Sequence, residues 1–193
     1  MVPRTLFLLG LLLAACQAAP LDSVYDFVTA NRDVLEVTLD ILQKADLQDF
    51  FSDPETNGTF LICPDEVILT TLSANLNSFA NGSSVAQVVS GVQASSVRTA
   101  ARFLEDSTLG KTYPTITSLA KAGPIKTLSG ITFQAQYDQL SGVYVTVGSD
   151  PDIVDYSGYI QGPVAIPVGN AVVYITDTCL ADPTVFVGGS QTR

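Results

Sequence analysis

The side chains best suited to chemistry in this sequence are its carboxylates, three cysteines and a few lysines, because histidine is absent. Without histidine, neither a Ser/Cys–His nucleophile nor a His-bearing zinc site can be assembled. No G-x-S-x-G, G-x-G-x-x-G or Walker pattern occurs. Acid pairs could still do general acid–base work, and the densest group is Asp150, Asp152 and Asp155 in "GSDPDIVDY". The same three acids hint at calcium, but their spacing lacks the glycine turn and the terminal Glu of an EF-hand loop. They read as a solvated acidic turn between two strands. Lys121 and Lys126, in "SLAKAGPIKTLSG", have no activating partner nearby and read as surface lysines. Residue chemistry alone therefore points away from an enzyme and assigns no catalytic or metal-binding residue. An enzyme working through the acidic group is the remaining alternative.

The cysteines must be read together with the start of the chain. "MVPRTLFLLGLLLAACQAAP" has a basic start at Arg4, an apolar run from Leu6 to Ala15 and a small-x-small signature at Cys16-Gln17-Ala18. It reads as a secretory signal peptide, residues 1–18, cut after Ala18; the apolar run is too short to span a bilayer. "LAAC" also fits a bacterial lipoprotein signal, in which Cys16 would carry a lipid anchor. Two N-x-S/T sequons, at Asn57 and Asn81, point instead to a eukaryotic secretory route and to N-glycosylation. Once the leader is removed, Cys63 and Cys179 remain. An even pair in an oxidising compartment reads as one disulfide, the alternative being two buried thiols that act as small hydrophobes. A bridge places both residues on neighbouring strands or strand ends.

The positioning elements follow from periodicity. The remainder, residues 19–193, suits one domain with a short C-terminal tail. Hydrophobic residues make up 47% and charged residues 15%, a composition that can fill a core. A formal net charge of −10 argues against nucleic acid and anionic membranes as partners. "DSVYDFVTANRDVLEVTLDILQKADLQDFF" predicts helices, the first capped by Asp22 or Ser23 and the second by Asp33. Val24, Phe27 and Val28 line one side of the first, and Leu35, Leu39 and Leu42 mark the stripe of the second. "TFLIC", Thr59 to Cys63, predicts a short apolar strand, and a helix comes next whose Asp65 and Glu66 suit its positive end. "SVAQVV" and "SSVRTAARFLED" continue the helical pattern. "ITFQAQY", "GVYVTVG", "GPVAIPV" and "AVVYITDTC" are β-type runs separated by Gly, Pro, Asp and Ser. Helices succeeded by a string of strands predict an α+β domain with mostly antiparallel pairing.

Two segments carry a resemblance to a known family. "NAVVYITDTCLADP" resembles the closing motif of fasciclin-type domains, "N-G-v-v-h-v-I-D-t-V-L-l-P". Asn170, Val172, Val173, Ile175, Asp177, Thr178, Leu180 and Pro183 match in kind; Ala171 replaces a Gly and Asp182 is an extra residue. "FLICPDEVIL" resembles the family's first motif, "T-v-F-A-P-t-d-e-A-f", with Ile62 for its Phe, Cys63 for its Ala and Pro64 matching. "KTLSGITFQAQYDQLSGVYVTVG" is similar to the strands between them. The family's Tyr-His segment has no counterpart and no Arg-Gly-Asp tripeptide occurs. The resemblance, over roughly residues 22–183, implies helices packed on a wedge of β-strands. It also implies an extracellular, non-enzymatic role in adhesion or matrix association, with a cell-surface or extracellular protein or glycan as partner. One branch of the family binds the carotenoid astaxanthin in water-soluble, glycosylated form. That branch implies the alternative of a lipophilic ligand, a carotenoid, held in an apolar groove between helices and sheet. Both cysteines replace small or apolar residues of the motifs, one in each, as two stapled neighbouring strands require.

Overall fold

The structure, a computed structural model, describes residues 21–75, 84–138, 142–148, 155–161 and 165–187. Three helices come first: α1 (Val24–Ala30), α2 (Arg32–Lys44) and α3 (Gln48–Ser52). Strand β1 (Thr59–Ile62) leads into α4 (Asp65–Asn75), α5 (Val85–Ala94) and α6 (Val97–Asp106). Then come β2 (Thr108–Leu109), α7 (Ile116–Lys121), β3 (Ile125–Lys126), β4 (Thr132–Asp138) and β5 (Gly142–Gly148). The chain closes with β6 (Tyr156–Tyr159), β7 (Ile166–Val168), β8 (Ala171–Ile175) and a 3-10 turn (Pro183–Phe186). The α+β expectation holds. β6 lies where an acidic turn is expected to run on, at Tyr156 in "DYSGY"; its Tyr159 pairs with Tyr144 of β5.

The strands form two four-stranded sheets, ordered β2-β1-β8-β7 and β3-β4-β5-β6. Pairing is antiparallel except between β1 and β8, which run parallel with Thr59 opposite Val172 and Ile62 opposite Ile175. The first sheet is the middle of three layers. Phe60, Ile62, Val173 and Ile175 face the helices and pack with Phe27, Ile41, Leu42 and Phe103. Leu61, Val172 and Tyr174 face the other way, against Phe133, Val143, Val145 and Val147 of the second sheet. β1 and β8 are thus buried on both faces, which is why their sequences are continuous apolar runs rather than alternating ones.

Ser23 caps α1, accepting the Asp26 N–H at 3.1 Å. Asn31, not Asp33, sits at the N-cap of α2, because α1 ends only one residue earlier and the two helices share that position. Within α2 the ladder breaks at Leu35 (φ −130°, ψ 29°). The freed Glu36 and Val37 N–H groups donate to the Asp65 carboxylate at 2.9 and 3.1 Å. Asp65 therefore works as a distant cap that pins α2 to the start of α4.

Burial pushes the Asp65 carboxyl up to about 6, with Glu36 and Asp40 adding negative charge and the two N–H bonds opposing the shift. A carboxyl raised in the folded state contributes stability that is complete below its unfolded value near 4. That contribution is lost as pH rises through about 6. Between pH 7 and pH 4.5 the wild type should gain roughly 2 kcal/mol over Asp65→Asn. Urea midpoints of both proteins at the two pH values measure the gain; parallel midpoints would refute it.

Candidate functional site

The two motif strands lie side by side, and their C-terminal ends position the disulfide and the closing turn of the chain. The Thr176 N–H donates to the Ile62 carbonyl at 2.9 Å, extending the β1–β8 ladder by one bond. The chain then turns at Asp177, whose Oδ1 accepts the Tyr159 N–H at 2.7 Å and so ties this end to the second sheet. Cys179 comes back over Cys63, and the two form a disulfide with a Cα–Cα distance of 5.3 Å, 116 residues apart in sequence. Both are buried. The motif residues are thus framework: Asn170, at the β7–β8 turn, donates from Nδ2 to Glu55 Oε2 at 2.9 Å.

Beyond the bridge, Asp182 caps the 3-10 turn through Oδ1, which accepts the Thr184 N–H at 2.9 Å and the Thr184 hydroxyl at 2.6 Å. Phe186 of that turn packs on Phe103 of α6, ring centroids 5.2 Å apart. The turn is also pressed onto α5 at Gly91. A Cβ there would strike the Phe186 carbonyl oxygen and lie 2.9 Å from its carbon, so glycine is required for the approach. This docking leaves an open cleft of about 330 Å³ between α6 and the turn, lined by Ser96, Arg98, Thr99, Arg102, Phe103, Asp106, Asp182 and Val185.

The charges in the cleft are unevenly satisfied. Arg102 Nε pairs with Asp106 Oδ1 at 2.8 Å, and its Nη1 donates to the Ser129 carbonyl at 3.3 Å. Burial first, then the carboxylates of Asp182, Asp155 and Asp106, push the Tyr156 phenol up to about 12, so it stays protonated. Arg98 is exposed and has no internal partner among the described residues.

Of the residues singled out by sequence, Cys63 and Cys179 come together. Asn57 is exposed, with Nδ2 donating to the Glu55 carbonyl at 3.1 Å, while Thr59 of its sequon is buried and its hydroxyl donates to the Lys111 carbonyl at 2.9 Å. Lys121 is exposed, and Lys126 Nζ donates to Thr132 Oγ1 at 2.9 Å. Asp155 is exposed beside β6; Cys16, Asn81, Asp150 and Asp152 lie outside the described residues. Among the described residues no helix is long and apolar enough to cross a membrane. Between the helices and the first sheet, the space among Val28, Leu42, Phe51 and Phe60 amounts to about 20 Å³, room for one water. The cleft residues went unread in the sequence; their single signal is an i,i+4 pair of arginines on α6.

No protein-family model matches the sequence, and no curated protein matches it. Among solved structures, a FAS1 domain pair from the insect cell adhesion molecule fasciclin I matches with a TM-score of 0.61 at 11% identity. The match covers 85% of this chain and 52% of that one, so the chain spans about half the length of the structure it resembles. At this identity the likeness speaks of architecture: the helices packed on a wedge of two sheets, closed by the parallel β1–β8 pair, have the fasciclin-like fold.

Proposed function

We propose that residues 19–193 form one secreted, non-enzymatic domain that binds an extracellular or cell-surface protein or glycan. The observation that carries this reading is the fold, shared with a domain pair from an insect cell adhesion molecule. The Cys63–Cys179 bridge supports it, since such bonds persist in oxidising compartments. So does the leader, removed after Ala18 in this reading. Asn57 and Asn81 carry N-glycans. At Asn57 the transfer precedes folding, because the folded chain buries the Thr59 hydroxyl that the sequon needs.

Cell attachment tests the reading. Cells should attach to surfaces coated with the folded mature protein and not to the same protein reduced and unfolded. Equal attachment to both, or to neither, would overturn it. An absorbance spectrum of natively purified protein reports on the carotenoid carrier: a visible band would replace the adhesion reading with that one. The mass of the same preparation reads the mature N-terminus, the glycans and any lipid on Cys16.

A further inference from the structure

We propose that the cleft between α6 and the 3-10 turn binds an extended peptide segment of an extracellular protein, through one acidic side chain flanked by an aliphatic residue. The proposal rests on the interaction-domain reading and names the partner chemistry it lacks. Its first support is charge. The chain has 9 basic against 19 acidic residues, yet two of those basic residues, Arg98 and Arg102, line this one cleft. Arg102 pairs with Asp106, and the Asp182 carboxylate accepts from the Thr184 N–H and hydroxyl. The exposed Arg98 guanidinium has no internal partner among the described residues, and a planar fork of donors suits a carboxylate.

The second support is the lining around that charge. Val185 is 44% exposed on the turn, and Phe103 also lines the cleft. Ser96 and Thr99 share one hydrogen bond between their hydroxyls at 2.8 Å, which leaves one hydroxyl proton for a ligand. A volume of about 330 Å³ is at the small end of ligand sites, enough for two or three residues of an extended chain. A single acid suits the site better than an acidic run, because the remainder of the chain is strongly negative and repels additional carboxylates.

The probe is a fluorescein-labelled, end-blocked pentapeptide with a central aspartate between two leucines, titrated with the folded protein and read by anisotropy. Saturable binding is expected, weakened about tenfold by Arg98→Gln and equally by replacing the peptide's aspartate with asparagine. Arg98→Lys should retain part of the affinity, and added salt should reduce it. Arg98 has no internal partner among the described residues, so these variants should keep the wild-type circular dichroism and unfolding midpoint. No saturable binding, equal binding by Arg98→Gln, or binding confined to a peptide with a free C-terminal carboxylate would overturn the proposal. Cell attachment that persists while peptide binding fails refutes the cleft and leaves the interaction-domain reading standing. The reverse result refutes that reading alone.

Discussion

Replacing both Cys63 and Cys179 with serine should lower the free energy of unfolding by about 4 kcal/mol, read from denaturant midpoints of the double variant and the wild type. The bridge spans 116 residues, so it removes a large closed loop from the freedom of the unfolded chain. Its position makes the folded-state consequences local. It sits just past the C-terminal ends of β1 and β8, where the last ladder bond runs from the Thr176 N–H to the Ile62 carbonyl. Without it, the segment from Leu180 to Phe186 is still held by Gly91, Phe103 and its own Asp182 cap. The loss should therefore be one of stability, with the native far-ultraviolet spectrum kept at low temperature. Thiol labelling of the denatured, unreduced mature protein, which lacks Cys16, should find no free cysteine; two labelled thiols, or a double variant as stable as the wild type, would refute the bridge.

How much of the molecule is legible in the sequence depends on whether a feature is carried by neighbouring residues. β1 and β8 announce themselves because burial on both faces demands uninterrupted apolar residues, as in "TFLI" and "AVVYI". The disulfide follows from compartment and count, with no knowledge of geometry. β6 does not announce itself. Its "YSGY" alternates with no apolar pattern and exists through its pairing with β5. Asp65 reads correctly as an acid at a helix start, yet its partners are the N–H groups of a break in α2 that no local pattern marks. The cleft is less legible still. Arg98 and Val185 belong to segments far apart in sequence, and they meet because the disulfide and Gly91 bring the chain end onto α5 and α6. Arginines four apart on a helix ordinarily mean a solvated face.

The closing motif also hides a second constraint, and Gly169→Ala should expose it by costing about 3–5 kcal/mol in urea unfolding. Gly169 and Asn170 form the two-residue turn between β7 and β8, with Val168 opposite Ala171. Gly169 has φ +53°, a conformation that costs an alanine about 1 kcal/mol. The larger part is collision. A Cβ would strike the Asp22 carbonyl oxygen and lie 2.6 Å from that of Pro54. The turn would have to back away, and it is held there by two backbone bonds. Gly169 N–H donates to the Leu21 carbonyl at 3.1 Å, and Asn170 N–H donates to the Pro54 carbonyl at 2.9 Å. Gly130 separates the two causes, because its φ is +89° and a Cβ there meets nothing within 4 Å. Gly130→Ala should therefore cost about 1 kcal/mol, the conformational part alone. Equal losses in the two variants would mean that the turn is not clamped against the start of the chain. The position ahead of Asn170 would then be glycine for its backbone angle and for no other reason.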